Sequence, residues 1–130
     1  MYRWIEHTGE LELSIEAQTE AEVFADGLGA LAELLGDEGG GRRRRREISL
    51  AAADRASLLA DWLEELVFLA ETEDLVPERL ESLELGQGSL RAVVEGRRGR
   101  PPHLVKAVTY HGLEFARANG GWRAKAVLDV

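Results

Sequence analysis

Glu10, Glu12 and Glu16 fall at even spacing in a segment whose intervening positions Leu11, Leu13, Ile15 and Ala17 are apolar. Such alternation marks a strand with one buried and one wet face, and it sets the three carboxylates together on the wet side. Asp129 and Val130 stand at the far end of the sequence. Carboxylate and main-chain oxygens of this kind suit hard divalent cations, with calcium, magnesium and manganese as the candidates. A row of acids on an exposed strand is equally what plain solvation produces, so the residues alone leave both readings open. The chain contains no cysteine, which excludes disulfides, thiolate zinc sites and thiol nucleophiles. His7, His103 and His111 lack zinc-type spacing, and no serine or threonine occupies a nucleophile motif.

Two further groups carry polar chemistry. Lys106, Tyr110 and His111 alternate with apolar neighbours in Lys-Ala-Val-Thr-Tyr-His, compatible with a binding surface along one strand. Arginines cluster in Arg42 to Arg46 and in Arg97-Arg98-x-Arg100, so that eight of the sixteen basic residues occupy two short segments. Clustered guanidinium groups fit phosphate backbones and acidic protein surfaces alike, and a flexible surface insertion is the plainer alternative. The formal charge of −8 argues against indiscriminate nucleic-acid binding.

The elements that must position these residues follow from periodicity and punctuation. Strands are expected at about 2–7 and 10–17. Thr19 precedes Glu22 by three, a capping-box spacing that opens a helix of about 19–36 carrying Phe24, Leu28, Leu31 and Leu35 on one face. The Gly/Arg-rich run at about 37–46 has no period able to bury a face and reads as a flexible, dispensable loop; it lacks the lysine and hydroxyl of a phosphate loop. A short strand follows at 47–52, and Asp54 caps a second helix whose stripe of Leu58, Leu59, Trp62, Leu63, Leu66, Val67 and Ala70 ends near Glu73. Beyond Pro77 five strands are expected at about 79–86, 89–95, 104–110, 112–117 and 122–129, with Asn119-Gly120-Gly121 turning a hairpin. At 130 residues the chain is one α+β domain, two helices packed on a largely antiparallel sheet that is curved or doubled. No apolar run approaches the roughly 20 residues needed to cross a bilayer, and the opening residues lack the apolar segment of a signal peptide, so a cytoplasmic protein without membrane contact is expected.

Four segments taken in order resemble the archease family across nearly the whole chain. Trp4-Ile5-Glu6-His7-Thr8-Gly9-Glu10 resembles its Glu-His-Thr-Ala-Asp signature and Asp61-Trp62-Leu63-Glu64-Glu65-Leu66 a Trp-Leu-Asn-Glu-Leu segment. Lys106-Ala-Val-Thr-Tyr-His111 is similar to a further signature, and Gly121-Trp122 through Asp129-Val130 to the family's ending. Archeases are non-enzymatic partners of the RtcB-type RNA ligase in tRNA splicing and RNA repair. The resemblance implies promotion of the ligase's guanylylation and multiple turnover, with RNA met only through the ligase. It also implies a divalent metal, calcium first, held by Glu10, Asp129 and a main-chain or carboxyl oxygen of Val130. His7, Asp61, Lys106 and His111 would then face the partner or support the metal ligands. Gly9-Glu10 stands where the family has Ala-Asp, so the carboxylate sits one methylene further out, and Glu64-Glu65 stands where Asn-Glu is common.

Two other readings compete. One is a metal-dependent hydrolase or nuclease using the same acids to activate water. The other is a general chaperone or RNA-binding adaptor using the arginine run.

Overall fold

The computed structural model describes residues 1–36, 41–99 and 105–130. Along them run β1 (Tyr2–His7), β2 (Glu10–Ala17), α1 (Glu20–Leu35), β3 (Arg43–Ala51), α2 (Arg55–Thr72), β4 (Leu75–Leu85), β5 (Ser89–Arg98), β6 (Ala107–Ala118) and β7 (Gly121–Asp129). The strands form two antiparallel sheets, ordered β1-β2-β7-β6 and β3-β5-β4. The expected sheet is therefore doubled. The helix pair touches both, α1 lying against β2 and β4 and α2 against β6, β4 and β3.

Local chemistry accounts for the element ends. Thr19 Oγ1 accepts from the Glu22 N–H at 3.2 Å, while Glu22 reaches back to the Gln18 N–H at 3.2 Å, so two donors at the start of α1 are satisfied reciprocally. Asp54 Oδ1 accepts from the Ser57 N–H at 2.7 Å to cap α2, and that bond holds its carboxyl below the usual range. The β6–β7 hairpin turns on Asn119 (φ 50°) and Gly120 (φ 78°), two consecutive positive-φ residues as a type I′ turn requires.

One core joins the layers. Leu13 and Ile15 of β2 lie opposite Ala126 and Ala124 of β7, and all four are buried beneath the helices. Trp62 is fully buried, and its indole N–H donates to the Phe24 carbonyl at 2.9 Å, tying α2 to α1.

The structure corrects three expectations. The loop at about 37–46 is wrong over 43–46: Arg43 to Arg46 form the first half of β3, paired with Arg97 to Val94 of β5. Arg44 and Arg46 turn toward the helices and are held there, Arg44 by the Glu73 carbonyl at 2.8 Å and Arg46 by the Glu73 carboxylate at 3.1 Å. Positions 37–40 of that run, and His103, lie outside the described residues. The strands expected at 104–110 and 112–117 are one strand, β6, interrupted by a bulge between Thr109 and Glu114 in which Gly112 takes φ 74°. β4 begins at Leu75 rather than 79 because Pro77 does not break it; β4 is an edge strand, where a missing N–H costs no ladder bond if it faces outward.

Candidate metal centre

Glu10 and Asp129, separated by nearly the full sequence, are direct register partners on β2 and β7. The next pair outward, Gly9 and Val130, is hydrogen-bonded, the Val130 N–H donating to the Gly9 carbonyl at 3.2 Å. Alternation along an antiparallel ladder makes Glu10–Asp129 a non-hydrogen-bonded pair, the closer kind, with Cα atoms about 4.5 Å apart and side chains on one face. The turn that delivers Glu10 depends on Gly9, whose φ of 73° disfavours any side chain. On the other side of β7, Ala107 of β6 faces Asp129, and the Lys106 N–H donates to the Asp129 carbonyl at 2.8 Å. Asp129 is thus fixed from both flanks.

A row across the sheet end results. His7 of β1 lies opposite Glu10, Glu10 opposite Asp129, and Asp129 opposite Ala107. One step along the strands, Glu12 stands 3.9 Å from both His7 Nε2 and Lys125 Nζ. Glu16, at the far end, faces Arg123. Among the described residues Lys125 therefore neutralises Glu12 in part, whereas Glu10 and Asp129 have no cation within ion-pair distance. An open groove of about 730 Å³ runs beside the row, lined by Trp4, Glu6, His7, Glu10, Leu11, Leu34 and Val130. Trp4, Glu6, Leu11 and Leu34 were not singled out from the sequence as functional; the only signal was the position of Trp4 and Glu6 inside the first signature.

The donor chemistry fits a hard cation. Two adjacent carboxylates and the main-chain oxygen of Val130 make an oxygen-only set, short of the six to eight that calcium takes and open to water or a partner's oxygens for the rest. No group of three His, Asp or Glu side chains suited to a metal occurs among the described residues. Among the described residues a third donor for such a set would come from the main chain.

Asp61 and His111 do not join the row. Tyr110, carried on the β6 bulge, donates its hydroxyl to Asp61 Oδ1 of α2 at 3.1 Å, and that bond together with the Asp61 charge raises the phenol's pKa. His111 is exposed in the same bulge. Lys106 is exposed at the base of β6, so four residues of strand, roughly 13 Å, separate it from Tyr110. The named residues thus form two groups: His7, Glu10, Asp129, Val130 and Lys106 at the sheet end, and Asp61, Tyr110 and His111 at the bulge.

Two helices bridging two antiparallel sheets make this a two-layered-sheet α+β protein joined through one helix pair. The model of the archease protein family matches residues 2–130. The archease of Methanosarcina acetivorans is 34% identical over 139 aligned positions, covering 99% of this chain and 95% of that protein. A solution structure of a Methanobacterium thermoautotrophicum protein superposes with a TM-score of 0.71 at 27% identity, covering 99% of this chain and 98% of that one. The crystal structure of a Thermotoga maritima archease, described as a possible chaperone, shares the fold with a TM-score of 0.70 at 21% identity, covering 100% and 98%. The chain belongs to the archease family. No helix among its described residues is long and apolar enough to cross a membrane.

Proposed function

We propose that this protein is a non-enzymatic activator of an RtcB-type RNA ligase, promoting the ligase's guanylylation and multiple turnover in tRNA splicing or RNA repair. The observation that carries the reading is the Glu10–Asp129 register pair, without an ion-pair partner among the described residues, at the sheet end of a chain in this family. A divalent cation, calcium by its preference for oxygen donors, would be held by Glu10, Asp129 and Val130 and would offer its remaining positions to oxygens of the ligase. The chain's own residues supply the rest. The Lys106 N–H and the Gly9 carbonyl fix the backbone on either side of the acids. The apolar wall of Trp4, Leu11 and Leu34 gives a partner segment a surface to bury beside the charge. His7 and Lys106 flank the row as polar contacts, and Asp61 with His111 forms a separate candidate contact at the β6 bulge.

A ligase guanylylation time course with and without the protein tests this: faster guanylylation with the protein present is expected, and an unchanged rate would refute it. A hydrolase reading has one supporting observation, His7 standing opposite Glu10 as a candidate base. Turnover of phosphodiester substrate by the isolated protein in calcium, magnesium or manganese would favour it over the activator.

A further inference from the structure

At one end of the smaller sheet four arginines form two adjacent cross-strand pairs, which strand alternation projects to opposite faces of the sheet end. Arg43 stands directly opposite Arg97 in the β3–β5 register. One step further out the Arg98 N–H donates to the Arg42 carbonyl at 2.9 Å, making a second arginine pair. Like charges directly opposite one another on neighbouring strands are destabilising. The backbone is nevertheless built tightly here: a Cβ added to Gly41 would fall 1.7 Å from the Arg98 carbonyl oxygen, so only glycine permits the approach.

The other arginines of the run have internal partners. Arg44 and Arg46 hold Glu73, and Arg45 pairs with Glu81 at 2.8 Å. Arg97 is offset by Glu78 at 2.8 Å. Arg42, Arg43 and Arg98 are exposed and make no ion pair among the described residues. The local positive charge stands against a net charge of −8 for the chain, and an external anion at this end would relieve the repulsion between the arginines.

The large exposed apolar side chains are Met1, Phe68, Tyr110 and Val130, and none belongs to β3 or β5. A protein interface would want an apolar centre there, whereas a phosphate backbone needs only charge. No aromatic accompanies the arginines to stack bases, so contact would be independent of sequence.

We propose that Arg42, Arg43, Arg97 and Arg98 form a contact site for the phosphodiester backbone of RNA, so that the protein touches the ligase's substrate directly as well as the ligase. The proposal rests on the ligase-partner reading, and its test is run without ligase so that the two can fail separately. Binding of the full-length protein to a labelled single-stranded RNA is measured by anisotropy between 50 and 200 mM salt. Four contacts at about 0.7 each give a log–log salt slope near −2.8, about a 50-fold loss across that range. In Arg42→Gln/Arg43→Gln the slope should fall by about 1.4, with affinity lost and the melting temperature kept; Arg42→Lys/Arg43→Lys should restore both slope and affinity. The proposal is overturned by absence of RNA binding at 50 mM salt, or by a glutamine variant that binds RNA like the wild type. It is equally overturned if the glutamine variant keeps its RNA affinity and loses ligase affinity, the outcome that would assign the arginines to an acidic protein surface. RNA binding that follows the predicted slopes, found together with no effect on ligase guanylylation, would uphold the site and refute the activator reading.

Discussion

Replacing Asp129 by asparagine should stabilise the protein in chelator and remove its response to calcium. The substitution keeps shape and deletes one of two like charges held face to face by the β2–β7 register. Carboxylates about 5 Å apart repel by about 0.8 kcal/mol at the dielectric of water, and like-charged cross-strand pairs cost up to about 1 kcal/mol, so relief of about 0.5–1 kcal/mol is expected. At about 2.1 cal/mol/K per residue, a 130-residue domain unfolds with an entropy of about 0.27 kcal/mol/K, which converts the gain into about 2–4 °C of melting temperature. For the wild type, calcium at a hundred times its dissociation constant adds about 2.7 kcal/mol, or about 10 °C, by binding only the folded state. Scanning calorimetry of both proteins in chelator and in calcium reads all four numbers. The two proteins should exchange rank between the two buffers. An Asp129→Asn protein that melts lower than wild type in chelator and still gains stability from calcium would refute the reasoning.

Other outcomes follow from the same structure. Trp62→Phe removes the buried bond to the Phe24 carbonyl and part of the core volume, and should cost about 2–3 kcal/mol, read as a lower urea midpoint at unchanged slope; a loss below about 0.5 kcal/mol would show that this contact does not hold the helices together. The chain's two tyrosines both resist ionisation, Tyr2 pushed up to about 12 chiefly by its hydrogen bond to Glu33 and Tyr110 raised by its bond to Asp61. Because these folded-state values lie above the ordinary 10, their contribution to stability is complete below pH 10 and, for Tyr2, lost as pH climbs toward about 12. Tyrosinate absorbance should accordingly rise above pH 10 while circular dichroism remains native, and titration of both tyrosines at pH 10 or below would contradict the bonds.

Local signals in the sequence located much of the fold. The alternation of β2, the Thr19 and Asp54 caps and the Asn119-Gly120 turn each act within a few residues, and the structure keeps all of them. The arginine strand escaped because a run of identical residues carries no alternation: Arg44 and Arg46 face inward while Arg43 and Arg45 face outward, and their long side chains let either face tolerate arginine. β6 read as two strands because its bulge falls on the polar Tyr-His-Gly segment. At the candidate centre, the strand face of Glu10 was visible from period alone, but its pairing with Asp129 is a long-range contact that only the resemblance suggested. The groove was not visible at all, since it arises where the end of α1 brings Leu34 over Trp4 and Leu11.

Support of RNA-ligase activation by the Glu10–Asp129 acid pair is put to the test by Asp129→Ala. Asp129 is only partly buried, while the core contacts of β7 come from Ala124, Ala126 and Leu128, so the variant should fold. With circular dichroism establishing that fold, a ligase guanylylation time course in calcium should be accelerated by the wild type and left near its unassisted rate by Asp129→Ala. Wild-type acceleration by the well-folded variant would show that the acid pair does not support activation.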